Sequence, residues 1–443
     1  MPDFDPRALA VIGRLHQAGF PAALVGGCVR DSLLSRTPHD YDAATAARPE
    51  QIQALFADRP QHDAGVRFGM VAVDWDGLWV EVTTFRRETG YADHRRPDQV
   101  VFSSRLEEDL ARRDFTINAM AWGPDGLVDR YGGRADLARG LVRCVGEPDR
   151  RFEEDALRPL RGLRLAAQLN FTLEEATAAA VRRHLPQLVH VAWERICAEF
   201  LRLISSPGGE RILLEFPQAA VQVLPELGPA VGFDQRNPHH RFDVYSHCVR
   251  TMGQVLPSPA LRLAALLHDV GKPETFSLDE SGTGHFYGHD RAGAPLADRA
   301  LERLRLPRTD RDRVVLLVKR HHLPVEDSRP WAGRWINRLG AEALLQLLAL
   351  ERADGLACGT PPVPERLALL ERAEERVRAL MQEGACPTLR DLAVNGRDAL
   401  AAGLEGPAVG AALRDLLDQV CQGMLPNDRP TLLNELRRLA GGM

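Results

Sequence analysis

The sequence has no C-x-x-C pair, no long apolar run and no large surplus of either charge sign. Its seven cysteines stand singly at 28, 144, 197, 248, 358, 386 and 421. That odd count and spacing suit neither a disulfide framework nor a cysteine-based zinc site, and imply a reducing compartment. No stretch approaches the roughly 20 apolar residues of a membrane span. The first 20 residues carry Asp3, Asp5, Arg7 and Arg14 where a secretion signal would be apolar. Lys+Arg number 56 against 61 Asp+Glu, a net charge of −5. No polybasic tail is present, although a local basic face would suffice for an RNA partner. Lysine is nearly missing: Lys272 and Lys319 are the only two, so cationic chemistry falls to arginine. These absences describe a soluble, cytoplasmic chain. What is present, 443 residues at 44% hydrophobic and 26% charged, is an ordinary globular mix of roughly three domains at about 150 residues each.

Residues 6–20 have helical apolar spacing. Ala22 to Val25 then reads as a short strand running into Gly26-Gly27, with a helix from Val29 to Leu34. Between Phe68 and Phe85 the pattern alternates on both sides of Asp76-Gly77, the strongest local hairpin signal. After Gly140 the strand signal vanishes and helical periodicity takes over through 150–205, 210–230, 242–272, 294–325 and 340–382. Two or three short helices follow over 388–440. The pattern predicts an α/β head on a small sheet followed by a long helical body.

The chemistry concentrates in LVGGCVRDSLLSRTPHDYDAAT, residues 24–45. Gly26-Gly27 permits close backbone approach to a ligand, and the helix start after it offers free N–H groups to phosphate oxygens. Asp40 and Asp42, two apart on a strand, would point to one face and share Mg²⁺. Such ions can activate a 3′-hydroxyl and neutralise departing pyrophosphate. Taken alone, such a pair is more often a solvated acidic surface. Glu81 offers a third carboxylate from the hairpin, or a solvated strand position. Arg112, Arg113 and Asp114 suit a triphosphate and a ribose hydroxyl, or a helix cap. Asp155 and Arg158, three apart on a helix, share a face. They can hydrogen-bond the Watson–Crick edge of a base, or form a surface salt bridge.

In this order the pieces resemble the class II tRNA nucleotidyltransferase family, the CCA-adding enzymes with bacterial poly(A) polymerase relatives, from Leu24 to Leu169. The resemblance implies an α+β fold: an N-terminal nucleotidyltransferase head with a small mixed sheet, then an elongated all-α neck, an HD-containing body and a tail. It implies catalysis by Asp40, Asp42 and Glu81 with Mg²⁺ on the two aspartates. Nucleotide binding falls to Gly26, Gly27, Arg30, Arg112, Arg113, Asp114 and Asn118, and CTP or ATP selection to Asp155 and Arg158 with Arg161 in support. Residues 84–102 resemble the family's flexible loop at full length, so terminal-A addition is retained. One departure stands out: relatives usually place Pro directly after the Glu-Asp of the selecting motif, where this chain has Ala156, with Pro159 further on. Proline disfavours helix just before it, so the helix is either kinked or starts late.

In the body, His247, His268-Asp269 and Asp354 fall in three helical segments. Imidazoles and carboxylates from three helices can close a metal site in a bundle core. Asp269 in an apolar helix would be costly to bury unpaired. Histidines follow at His285, His289, His321 and His322. Gly271-Lys272 is no P-loop, since Leu266 and Pro273 occupy its required positions. The order His247, His268-Asp269, His289, His322, Asp354 resembles the HD phosphohydrolase superfamily over about residues 240–360. That implies a divalent transition metal (Ni, Mn or Co) or Mg²⁺ on His247, His268, Asp269 and Asp354, with His289 and His322 on a second metal or the phosphate. The implied activity is phosphatase or 2′,3′-cyclic phosphodiesterase action on RNA ends.

Residues 391–438 resemble the family's helical tail, implying phosphate contacts to the tRNA elbow from Arg390, Arg397 and Arg414. The expected division is head 1–140, neck 141–205, HD body 206–370 and tail 371–443. The expected activity is template-independent addition of CCA, or its terminal A, to tRNA with CTP and ATP. The alternatives are A-only or poly(A) addition, or an HD phosphohydrolase whose head only binds RNA. No membrane partner is expected, and the oligomeric state, monomer or dimer, stays open.

Overall fold

A computed structural model describes residues 2–63, 65–66, 69–89, 99–360, 363–383 and 389–441. Part of the expected flexible loop, 90–98, therefore lies outside the described residues. The fold is α+β and divides into two units, Met1–Val223 and Leu224–Met443.

The first unit is built on a mixed sheet. Its strands are β1 (Ala22–Val25), β2 (Tyr41–Thr45), β3 (Gln61–His62), β4 (Met70–Trp75) and β5 (Leu78–Thr84). A separate ribbon pairs β6 (Arg86–Thr89) with β7 (Gln99–Phe102), and β8 (Met120–Gly123) with β9 (Gly126–Asp129) completes the main sheet. The order is β3-β4-β5-β2-β1-β8-β9. β2 and β5 run parallel, and the other neighbours are antiparallel. β1 lies between two strands, so all four of its apolar residues are buried. The helix Pro6–Gln17 packs near it through Ala8, Val11, Ile12 and Leu15, one face at helical spacing. Asp76 and Gly77 both adopt positive φ, 53° and 85°, as a two-residue type I′ hairpin turn requires. The register this turn sets sends Val71, Val73, Val80 and Val82 inward, each fully buried, and leaves Glu81 on the outer face.

Two expectations change here. The β2 strand starts at Tyr41, so Asp40 lies just before it and only Asp42 is on the strand. Strand structure also continues past Gly140: β10 (Leu141–Val142) pairs with β11 (Thr172–Leu173). Two-residue ladders carry no alternation for a sequence pattern to register.

The selecting motif sits at a helix break. One helix, Pro148–Glu154, ends before Asp155, whose backbone is extended (φ −143°, ψ 110°). The next, Arg158–Leu169, has Pro159 in its first turn, where a missing N–H costs nothing. Of the two readings of Pro159, the late-starting helix is the one adopted.

In the second unit, the helices Val244–Gln254, Pro259–Leu267, His289–Arg303, Arg308–Arg320 and Ala341–Ala357 surround the histidine cluster. A short hairpin joins β12 (Ser277–Leu278) to β13 (Gly284–His285). Toward the C-terminus, Gly396–Ala401, Pro407–Cys421 and Arg429–Gly441 enclose their own core, including Leu404, Leu416, Leu417, Leu432 and Leu436. Among the described residues, no helix is long and apolar enough to cross a membrane.

Candidate functional sites

In the head, the parallel register of β2 and β5 sets Asp42 directly opposite Glu81. Burial pushes the Asp42 carboxyl up to about 6; Glu81 and Asp40 add to the rise and Arg113 opposes it. Asp42 thus feels the charge of both neighbouring carboxylates. Gly26 adjoins it with φ +76°, and a Cβ there would lie 3.0 Å from Arg113 Nη1 and 3.4 Å from Asp42 Oδ2. Glycine therefore leaves room for the guanidinium and the carboxylate, which any side chain would crowd. A buried carboxyl raised in this way suits a divalent cation, which favours its ionised form.

The arginines are held by a residue that the sequence reading did not single out. Asp109 is fully buried. Its Oδ1 accepts from Arg112 Nε at 2.9 Å and Nη2 at 2.7 Å, and its Oδ2 from Arg113 Nη2 at 3.1 Å. Burial opposes ionisation of Asp109, yet Arg113 and Arg112 hold its carboxyl below the usual range. The i+3 and i+4 spacing was the available signal. Arg30 Nη1 donates to Asn118 Oδ1 at 2.8 Å and Arg30 also pairs with Asp31, so these two expected ligands brace one another.

The selecting motif meets the Arg112–Asp114 segment but not as a pair on one helix face. Arg158, 8% exposed, is bound to Glu154 Oε2 at 2.6 Å and reaches the Arg112 carbonyl at 3.3 Å. Asp155 instead faces Arg195 Nη2 at 3.2 Å. Arg161 Nη1 lies 3.2 Å from Asp114 Oδ2. Burial opposes charge on Asp114, and Arg161 and Arg158 hold it below the ordinary carboxylate range. The expectation that Asp155 and Arg158 share a helix face therefore fails, because the helix begins at Arg158.

In the second unit, His247 lies on Val244–Gln254 and Asp354 on Ala341–Ala357. His268 caps Pro259–Leu267, so Asp269 sits in the turn beyond the helix rather than within it. It is 1% exposed all the same. Its Oδ2 lies 3.2 Å from His268 Nε2 and 3.4 Å from His247 Nε2. Its Oδ1 lies 3.2 Å from His289 Nε2 and 3.7 Å from His321 Nε2. Asp354 Oδ1 is 2.9 Å from His247 Nε2. Asp269 therefore stands between two donor groups, His247, His268 and Asp354 on one side and His289, His321 and His322 on the other.

The ring nitrogens say what these groups can hold. His268, His289 and His321 place Nδ1 2.8, 2.7 and 2.7 Å from the carbonyls of Ala265, Phe286 and Val318. A carbonyl only accepts, so each Nδ1 carries a proton and Nε2 is the ring nitrogen left to offer a lone pair to a ligand. His289 Nε2 nevertheless faces Nε2 of His321 at 3.1 Å and of His322 at 3.1 Å. Lone pairs that converge this way fit a cation between them, and carbonyl-anchored imidazoles are the usual ligand arrangement. His321, which the HD resemblance does not include, joins His289 and His322 in this group. Lys272 Nζ, 2.6 Å from Asp269 Oδ2, adds a buried positive charge.

Of the three tail arginines, Arg390 and Arg414 line one cleft with Arg338. Arg397 lies on the helix Gly396–Ala401, outside that lining.

Comparison with known proteins agrees with this division. Residues 22–143 match the family model of the poly A polymerase head domain, 170–228 that of the probable RNA and SrmB-binding site of polymerase A, and 244–358 that of the HD domain. A CCA-adding enzyme of Levilactobacillus brevis is 33% identical over 98% of both chains. One of Latilactobacillus sakei is 35% identical over 98% of this chain and 97% of its own. The crystal structure of the Bacillus stearothermophilus CCA-adding enzyme in complex with CTP is 28% identical, covers 98% of each chain and superposes with a TM-score of 0.75. With a head whose acidic strand and arginine segment meet, and with relatives matched end to end, the chain belongs to the CCA-adding enzyme family.

Proposed function

We propose that the chain is a tRNA nucleotidyltransferase that adds CCA, or its terminal A, to tRNA 3′ ends from CTP and ATP. A second, HD-type phosphohydrolase activity resides in its other unit. The observation that carries the first half is Asp42 set opposite Glu81 in the strand register, beside Gly26 and Arg113. Asp42 with Asp40 would hold Mg²⁺, with Glu81 opposite. Divalent cations bound there supply Lewis-acid activation of the RNA 3′-hydroxyl and charge neutralisation on the departing pyrophosphate. Arg113 and Arg112, fixed by Asp109, present guanidinium donors to triphosphate oxygens, for which their planar fork is suited. Asp155 and Arg158, supported by Arg161, would select the base. With Arg158 engaged by Glu154, Asp155 and its partner Arg195 offer the freer polar edge.

In the HD unit, His247, His268, Asp269 and Asp354 would hold one cation, and His289, His321 and His322 a second, with Ni, Mn, Co or Mg as candidates. A cation there supplies Lewis-acid activation of a water for phosphoester hydrolysis. Lys272 would draw the phosphate toward the centre. The functional segments we propose are 1–140 for transfer, 141–205 for nucleotide selection, 206–370 for hydrolysis and 371–443 for holding tRNA through Arg390, Arg397 and Arg414.

The test separates the two sites. Asp42→Ala should abolish nucleotide incorporation and leave hydrolysis of a cyclic phosphodiester intact, and Asp269→Asn should do the reverse. Loss of both activities in either folded variant would refute the assignment.

A further inference from the structure

The cavity beside the HD cluster holds more than metal ligands. It encloses about 320 Å³, and its lining includes Asp269, Lys272, His289 and Asp354 together with His285 and Tyr287. That volume is at the small end of ligand pockets, enough for one nucleotide but not for a paired stem. Tyr287 is 79% exposed, the most exposed large apolar or aromatic side chain among the described residues. An isolated tyrosine on a surface would need no explanation, but this one is built into an arrangement.

His285 ends β13 and Tyr287 stands in the turn that follows, with Phe286 between them. Phe286 packs against Phe276 and Phe233, with ring centroids 5.6 and 6.5 Å apart, and so anchors the segment. His285 and Tyr287 lie parallel, centroids 5.4 Å apart and planes within 6°. His285 is fixed in turn: its Nε2 lies 2.9 Å from Asp279 Oδ2, and β13 pairs with β12 beneath it. Two residues after Tyr287, beyond Gly288 at φ +77°, comes His289 of the metal cluster. A flat aromatic stack thus stands at the cavity mouth with the outer face of Tyr287 open, one short step along the chain from the proposed reaction centre. Aromatic platforms of this kind bind nucleic-acid bases with little sequence preference, because every base has a π-face.

We propose that His285 and Tyr287 form a base-stacking subsite that makes the HD centre selective for phosphoesters on the terminal nucleoside of an unpaired RNA end. This rests on the HD hydrolase reading above and adds the residues that hold the base of its substrate. The base stacks on Tyr287, the ribose enters the cavity, and its phosphate meets Lys272 and the metal cluster.

The experiment uses the full chain with manganese and two substrates sharing one reactive group: adenosine 2′,3′-cyclic phosphate and glycerol 1,2-cyclic phosphate, which has no base. Tyr287→Ala should lower kcat/KM for the adenosine ester about tenfold, mainly through KM, as loss of one stacked base implies. The glycerol ester should stay within about twofold, and Tyr287→Phe should behave as the parent. Calorimetric binding of adenosine 3′-monophosphate to the metal-free chain should weaken in parallel in Tyr287→Ala. If both esters decline together, or neither the adenosine preference nor the binding changes, the platform is refuted while the hydrolase reading stands. If the parent chain hydrolyses neither ester with Mn, Co, Ni or Mg but still adds nucleotides to tRNA, the hydrolase reading itself fails and the platform with it.

Discussion

Asp109→Asn is the sharpest probe of how the head holds the arginines proposed to meet the triphosphate. The carboxylate makes two contacts to Arg112 through Oδ1, at 2.9 and 2.7 Å, and one to Arg113 through Oδ2, at 3.1 Å. An asparagine amide can keep its oxygen toward Arg112, which makes the greater number of contacts. Its NH₂ then opposes Arg113, so that guanidinium loses its partner and two cations face a neutral group. Breaking a fully buried ion pair costs about 3–5 kcal/mol. The Arg112 and Arg113 side chains are 18% and 17% exposed, so water recovers part of this and about 2–3 kcal/mol is expected. For a unit of this size, that lowers Tm by roughly 5–10 °C. The functional effect should be specific: Arg113, freed beside Asp42, no longer presents its donors in place. KM for CTP and ATP should therefore rise about tenfold, as loss of one charge-assisted contact implies. Scanning calorimetry and steady-state incorporation read the two effects separately. An unchanged Tm together with an unchanged KM would refute the clamp, and a lower Tm with unchanged KM would leave Asp109 a purely structural residue.

Metal binding in the head should depend on pH through Asp42. Its folded pKa is raised to about 6, so below that value the metal-free chain carries a proton that Mg²⁺ must displace. Apparent Mg²⁺ affinity measured by calorimetry should fall up to about tenfold per unit as pH drops below 6, and should be level above about 7. The helix break predicts unequal roles for the two selecting residues. Arg158→Ala leaves Glu154 with Arg151 at 2.8 Å but removes the buried donors to Glu154 and to the Arg112 carbonyl, and should cost about 1–3 kcal/mol in urea unfolding. Asp155→Ala, whose partner Arg195 is more exposed, should cost less than about 1 kcal/mol. Equal costs would mean that the two act as one pair.

How much of this was legible in the sequence depends on the length scale of each signal. The apolar run at Ala22–Val25 and the alternation about Asp76-Gly77 are local patterns, and β1 and the β4–β5 hairpin form where those patterns place them. Ligand types in the HD cluster were legible because His and Asp are rare in apolar helices. That His321 joins His322 in the cluster was not, since it depends on the packing that buries His321 to 2% exposure. Pro159 was compatible with a kink or a late start, and only the path of the chain from Glu154 decides between them. Asp109 carried the right spacing to Arg112 and Arg113, but its weight comes from complete burial, a tertiary property. The two-residue ladders β10–β11 and β12–β13 are set by neighbouring chain rather than by their own residues.

The central claim is that Asp42 and its neighbouring carboxylates transfer nucleotides to an RNA end. It is met most directly by offering the full chain tRNAs ending at the discriminator base, at C and at CC, with each of the four labelled triphosphates, beside Asp42→Ala. The account predicts C on the first two ends, A on the third, and no labelled product from the variant. Parental levels of product from folded Asp42→Ala, or no addition to any tRNA by the parent chain, would contradict it.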